Sequence, residues 1–333
     1  MTVQIGVIGA GAWGTTLAVL LADAQRPVSL RAHSPEAAER LAHARTNERY
    51  LPGIVFPPNV RVVTDDAYVS EPHRFYVVAV PSAHVRATLA AVGPLLDPDA
   101  PILSVVKGIE EGTHLRMTQV IDEVLPGRRL AALSGPNLAR EVASGKPAGS
   151  VVASEDAELA TDLAAALSSD RFRVYTNPDV IGVELCGALK NVMALAAGMV
   201  DGLGFGDSAK AGIITRGLAE MTRLGAAAGA HPLTFAGLAG VGDLIATCMS
   251  PLSRNRQAGE LIASGVPWPE AGNRISGVVE GVATVAGALE LAVTHGVEMP
   301  IVEQVRMVVF EQRPPMVAVA DLMARSTKDE LQG

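Results

Sequence analysis

The sequence predicts an α/β unit, in which helices cover both faces of a parallel sheet, followed by an all-α unit. Three observations predict it. Over the first half, short β-branched runs alternate with amphipathic stretches of helical period. A glycine-rich turn joins the first such run to the first helical stretch. From about Asn177 the strand-like runs stop, and long Ala/Leu/Gly/Met segments of helical period continue to the end. The expected domains are residues 1–178 and 179–333.

Taken in order, residues 3–8 read as a strand and 15–24 as a helix, with Leu17, Leu20 and Leu21 at helical spacing. Residues 28–30 are a second strand. Ser34-Pro35-Glu36 then supplies an N-cap, a first-turn proline and a first-turn acid for a helix over 37–44. Further strands are expected at 61–63, 75–80, 102–106, 130–133 and 149–153. The second half carries helices over 180–200, 209–229, 253–264, 282–295 and 301–310.

Composition bounds the function. The 333 residues are 49% hydrophobic and 19% charged, enough for packed cores in roughly two domains. A net charge of -8 argues against a general nucleic-acid or anionic-membrane binder, which needs a basic surface. Cys186 and Cys248 form no zinc-like spacing and suggest no disulfide scaffold, so a reducing cytoplasm is expected. No basic segment precedes an apolar run at the N-terminus, and apolar windows such as 192–200 fall short of a membrane span, so neither a signal nor a spanning helix is expected.

Gly9-Ala10-Gly11-Ala12-Trp13-Gly14 has the spacing that turns a strand tightly, brings backbone N–H groups against a pyrophosphate and packs the next helix on the sheet. Its place between strand and helix favours a dinucleotide site in a Rossmann-type domain over a tight structural turn alone. The acid that would hold a ribose 2′-hydroxyl is missing from the end of the second strand, which reads Leu30-Arg31-Ala32-His33-Ser34. Arg31 and His33 there suit a 2′-phosphate unless they are plain surface groups, so NADP(H) is slightly favoured over NAD.

Ligands of open α/β sheets bind beyond the carboxyl ends of the strands. Three loops stand there: Val80-Pro81-Ser82, Lys107-Gly108 and Ser134-Gly135-Pro136-Asn137. Lys107 is the candidate of most interest, although a solvated surface lysine fits it too. In the second half, Lys190 interrupts the apolar run 180–200; a desolvated lysine gives up its proton more readily and serves as general acid or base, unless it snorkels to solvent. Ser253 reads as an N-cap with Arg254, Asn255 and Arg256 in the first turn. Cations oppose the helix dipole there, which makes sense if an anion binds.

With these residues in hand, the chain resembles the bacterial NAD(P)-dependent glycerol-3-phosphate dehydrogenases over nearly its whole length. The resemblance covers the glycine turn, residues 47–52 with Tyr50-Leu51-Pro52, Val80-Pro81-Ser82, Lys107-Gly108, Ser134-Gly135-Pro136 and Asn177-Pro178-Asp179. It continues through residues 187–191, Ile214-Thr215-Arg216-Gly217-Leu218, residues 240–243, Ser253-Arg254-Asn255 and Val278-Val279-Glu280-Gly281.

The resemblance implies Lys190 as proton donor and acceptor, Lys107 near substrate and cofactor, and Asp243 beside the reacting hydroxyl. It implies that Gly135 and Asn137 contact the glycerol phosphate and that Ser253, Arg254 and Asn255 hold its phosphate. It also implies that Gly9, Gly11, Ala12, Trp13, Gly14, Arg31, His33, Ser34, Tyr50, Lys107, Ala139, Arg254, Val278 and Glu280 line the dinucleotide. Three departures are visible: Ala12 stands where serine is usual, Ser34 where close relatives often carry arginine, and Asn137-Leu138 where serine or threonine followed by an aromatic is frequent. The implied reaction is reversible hydride transfer between NAD(P)H and dihydroxyacetone phosphate, giving sn-glycerol 3-phosphate for glycerophospholipid synthesis, without a metal. A homodimer is expected. The rival enzyme reading is a 3-hydroxyacid dehydrogenase of the 6-phosphogluconate type; a non-catalytic NADP(H) sensor would leave the two lysines, Asp243 and the Ser-Arg-Asn turn without a shared task.

Overall fold

The structure is a computed structural model that describes residues 4–64 and 72–326; Val3, the expected first strand residue, lies outside them. Ten strands are described: β1 Gln4–Ile8, β2 Val28–Arg31, β3 Thr46–Asn47, β4 Leu51–Val55, β5 Val60–Val63, β6 His73–Val78, β7 Ile102–Ser104, β8 Leu130–Ser134, β9 Ala148–Ala153 and β10 Phe172–Asn177. The helices among them are α1 Ala12–Asp23, α2 Pro35–Ala44, α3 Val85–Val92, α4 Met117–Val124, α5 Ala139–Ala143 and α6 Ala157–Leu167. There follow α7 Val180–Gly202, α8 Asp207–Ala227, α9 Pro232–Phe235, α10 Asp243–Met249, α11 Arg254–Ala263, α12 Glu270–Asn273, α13 Glu280–His295, α14 Pro300–Glu311 and α15 Pro315–Met323.

Eight strands form one sheet in the order β10-β9-β8-β7-β6-β1-β2-β5. The run β5-β2-β1-β6-β7-β8 is the doubly wound dinucleotide-binding order, with its switch point between β1 and β6. Side chains alternate across the sheet. Phe75 and Val77 of β6 enter a core with Leu17 and Leu21 of α1 and Leu159 and Leu163 of α6. Tyr76 and Val78 enter a second core with Leu89 of α3 and Val120 and Ile121 of α4.

Three strand features depart from expectation. β3 and β4, not expected from the sequence, form a separate antiparallel pair. β9 runs antiparallel to β8, because the link between them holds only the five-residue α5, too short for a right-handed crossover. β10 extends the sheet parallel to β9. Its burial alternates over Phe172, Arg173, Val174 and Tyr175, so its sequence lacks the continuous apolar run of the inner strands.

By contacts the chain divides into two units, one of residues 1–107 and 115–184, the other of residues 108–114 and 185–333. The helical unit is built on α7, whose residues from Gly182 to Val200 are all buried. Contrary to the expectation of short apolar windows, α7 is long and apolar enough to cross a bilayer, with mean hydropathy 1.6 over its richest window, as is the stretch 232–249 at 1.4. In α7 89% of that window is buried inside the protein, which is the environment of a core helix. Helix α11 lies directly on it. A Cβ at Gly198 would collide with the Arg256 carbonyl, and one at Gly259 with that of Leu195, so the two backbones touch where side chains would hold them apart.

Candidate active site

In the sheet unit the glycine turn sits at the carboxyl end of β1. Gly9 has φ +112°, and a Cβ there would stand 2.7 Å from the Ala79 carbonyl oxygen; at Gly14 a Cβ would strike the Gly9 carbonyl. At Gly11 a Cβ would meet nothing within 4 Å. The turn is therefore closed where the chain packs on itself and open at the residue that starts α1. Gly11 offers no side-chain cap to α1, so Ala12 and Trp13 begin the helix with N–H groups available to an anion. The indole Nε1 of Trp13 is buried without a hydrogen-bond partner. An open glycine, uncapped helix and orphaned indole donor together fit a dinucleotide.

The structure adds a residue to this turn. Asn47 of β3 is buried and donates through Nδ2 to the Ala10 carbonyl at 2.9 Å and to Thr15 Oγ1 at 2.8 Å. Tyr50 lies three residues on, with the Arg49 guanidinium over its ring at 5.1 Å. Arg31 ends β2 beside the turn, its carbonyl accepting from Gly9 N–H at 3.1 Å, while His33 is exposed. Ser34 is occupied as the N-cap of α2, its Oγ accepting from Ala37 N–H at 3.2 Å.

Beyond the other strands, Lys107 Nζ donates to the Gly135 carbonyl at 2.9 Å, and Asn137 N–H donates to the same oxygen at 2.7 Å. The Asn137 amide is turned to β9: Nδ2 donates to the Gly149 carbonyl at 2.9 Å and Oδ1 accepts from Ser150 Oγ at 2.9 Å. Its side chain thus fixes the loop. Ala139 opens α5, and its carbonyl accepts from Thr16 Oγ1 of α1 at 3.1 Å.

In the helical unit Lys190 is 6% exposed and Asp243 2%. Nζ stands 2.8 Å from Asp243 Oδ1 and donates to Thr247 Oγ1 at 2.6 Å; the Thr247 hydroxyl donates to the Asp243 carbonyl at 2.6 Å. Asp243 and Thr247 are one turn apart on α10 and so share a face. Thr247 was missed from the sequence; its only signal is that i,i+4 spacing from Asp243. The neighbouring Cys248 thiol is pushed up to about 12 by burial, so it stays protonated beside this group.

Helix α11 begins close by. Ser253 caps it, Oγ accepting from Arg256 N–H at 3.3 Å. Asn255 Nδ2 donates to Asn191 Oδ1 at 2.9 Å, and its Oδ1 accepts from Gly281 N–H at 2.9 Å, which ties α11 to α7 and to the start of α13. Arg254 is exposed, as is Val278, two residues before Glu280 opens α13. Arg256, read from the sequence as a second cation for an anion, points elsewhere: its guanidinium pairs with Asp201 and Glu260. Among the described residues no group of three His, Cys, Asp or Glu is placed to hold a metal.

Known proteins resemble this chain over nearly its whole length. The family model described as NAD-dependent glycerol-3-phosphate dehydrogenase N-terminus matches residues 4–160, and that of the C-terminus matches 179–320. The chain is 48% identical over 330 residues to glycerol-3-phosphate dehydrogenase [NAD(P)+] of Streptomyces avermitilis, covering 98% of each. It is 47% identical to the protein of that name in Desulfitobacterium hafniense, covering 99% of this chain and 93% of the relative. The crystal structure of glycerol-3-phosphate dehydrogenase from Coxiella burnetii superposes with a TM-score of 0.93 at 37% identity, covering 97% of this chain and 99% of that one. With both family models matched in order and relatives aligned end to end, this chain belongs to the NAD-dependent glycerol-3-phosphate dehydrogenase family.

Proposed function

We propose that the protein is an NAD(P)-dependent sn-glycerol-3-phosphate dehydrogenase that reduces dihydroxyacetone phosphate, reversibly, and so supplies glycerophospholipid synthesis. The observation that carries this reading is the buried Lys190–Asp243–Thr247 cluster, in the same helical unit as an α11 N-terminus bearing Ser253, Arg254 and Asn255. When bound, the reduced nicotinamide supplies the hydride. Lys190 Nζ delivers a proton to the carbonyl oxygen as charge develops there, while Asp243 and the Thr247 hydroxyl hold the ammonium in one orientation. Arg254 and the backbone N–H groups at the start of α11 take the phosphate, and the binding energy of this remote group orients the carbonyl.

Lys107, Gly135 and Asn137 are assigned to substrate, with Lys107 also to the cofactor. Gly9, Gly11, Ala12, Trp13, Gly14, Arg31, His33, Ser34, Tyr50, Ala139, Arg254, Val278 and Glu280 are assigned to the dinucleotide. The reading includes a homodimer in the cytoplasm with no nucleic-acid partner and no membrane span. A net charge of -8 supports the lack of a nucleic-acid partner, and two buried thiols a reducing compartment.

The test is loss of 340 nm absorbance with dihydroxyacetone phosphate and NADH or NADPH. Turnover is expected with both. Turnover of a phosphate-free 3-hydroxyacid but not of dihydroxyacetone phosphate would transfer the chain to the hydroxyacid reading.

A further inference from the structure

Arg256 stands in the first turn of α11, where a free cation opposes the helix dipole. It is held instead by a buried network. Its Nε lies 2.7 Å from Asp201 Oδ2 and its Nη2 2.7 Å from Glu260, while Lys210 Nζ lies 2.5 Å from Asp201 Oδ1. Two acids and two bases balance there, with the Asp201, Lys210 and Arg256 side chains between 10% and 15% exposed. The helices that the network joins meet through Gly198 and Gly259, a smooth contact that by itself sets distance but neither rotation nor axial register. Polar ties set those. Asn255 is tied to Asn191 and the adjacent Arg256 to Asp201, two points ten residues and about 15 Å apart along α7. A helix turn attached at two such separated points has one orientation.

We infer that Asp201 is a positioning residue for substrate phosphate: through Arg256 it fixes where Ser253, Arg254 and Asn255 stand relative to Lys190. This rests on the proposed role of that turn. Asp201 touches no substrate, and Arg256 serves as the strut between it and α11.

The experiment compares Asp201→Asn, Arg256→Gln and the double variant. Titration calorimetry with glycerol 3-phosphate gives Kd, and steady-state rates are taken with dihydroxyacetone phosphate and with phosphate-free dihydroxyacetone. Each single variant is expected to weaken Kd about tenfold, and the double variant no further, because both remove one strut. Both kcat values, and kcat/KM for dihydroxyacetone, are expected to stay within about twofold of wild type. Arg256→Gln leaves the Asp201–Lys210 pair in place, so it reads the same prediction should Asp201→Asn not fold, and Arg256→Lys is expected to recover part of the loss.

Two results would overturn the inference. One is an unchanged or tighter Kd in Asp201→Asn with a weaker one in Arg256→Gln, which would make Arg256 a direct ligand. The other is an equal loss with the phosphate-free ketone, which would make the network general packing. Calorimetry decides this whether or not the wild-type protein reduces dihydroxyacetone phosphate.

Discussion

Lys190 is the proposed proton donor, and burying an ammonium is costly unless it is paired. Asp243 and Thr247 supply the partners within 2.8 Å. Lys190→Ala is expected to lower kcat by about 10² to 10⁴ with KM for the dinucleotide nearly unchanged, read in the 340 nm assay; an unchanged kcat would remove Lys190 from the proton transfer. A lysine inside an apolar run was legible in the sequence. Asp243 was legible only through family resemblance, since it lies 53 positions away and the approach of α10 to α7 leaves no local pattern. Glu220 was legible by neither route. It is buried on α8, one oxygen accepting from Ile301 N–H at 2.8 Å and the other without a partner, and burial pushes its carboxyl up to about 7. Between about pH 4.5 and 7 the folded protein therefore holds a proton that the unfolded chain has released, and stability falls as pH rises through that window. Glu220→Gln keeps the acceptor for Ile301 and removes the titration. Urea unfolding at pH 5 and pH 8 is expected to favour the variant at pH 8 by on the order of 3 kcal/mol relative to its standing at pH 5; an equal difference at both would disprove it.

Among elements, α4 shows how a helix end is completed from a distant part of the chain. Its first turn is closed by Glu184 of α7, which accepts from Thr118 N–H at 2.8 Å, from Thr118 Oγ1 at 2.6 Å and from Arg116 Nη1 at 2.5 Å. A buried carboxylate at a helix N-terminus satisfies donors that otherwise have no intrahelical acceptor. Glu184→Ala should lower the unfolding free energy by about 3 kcal/mol, as measured by denaturant titration, and a loss below about 0.5 kcal/mol would mean water replaces it. Helices α1, α2, α7, α8, α11, α13 and α14 and the inner strands were readable from period and capping residues. The β3–β4 pair, β10 and α10 were not: two residues make β3, alternating exposure masks β10, and α10 follows a glycine-rich turn whose geometry depends on its packing. Strand direction at β9 followed from the length of a connection, which period does not report.

For the whole molecule, the sequence boundary at 178 describes a change of texture, whereas contacts carry the sheet unit through Glu184 and give residues 108–114 to the helical unit. Texture follows local periodicity and units follow burial, and the two differ where one helix serves both. Cofactor choice is a property at this scale because it weighs a whole ligand. With Ser34 committed to capping α2, Arg31, which ends β2 beside the turn, is the cation proposed to recognise a 2′-phosphate. Arg31→Ala is expected to lower kcat/KM for NADPH about tenfold and for NADH by less than twofold; equal losses would assign Arg31 to the shared part of the dinucleotide.

The orphaned indole at the glycine turn has an optical consequence. The chain has two tryptophans, Trp13 beside that turn and Trp268 in the helical unit. Trp268→Phe would leave a single emitter, at the turn proposed to take the dinucleotide and tilted against Phe172 at 6.4 Å. Emission near 340 nm overlaps the absorption of a reduced nicotinamide, so binding is expected to quench Trp13 and sensitise nicotinamide fluorescence. A protein with an intact lysine and a removed indole would then bind silently, and the family's chemistry would proceed without its own reporter.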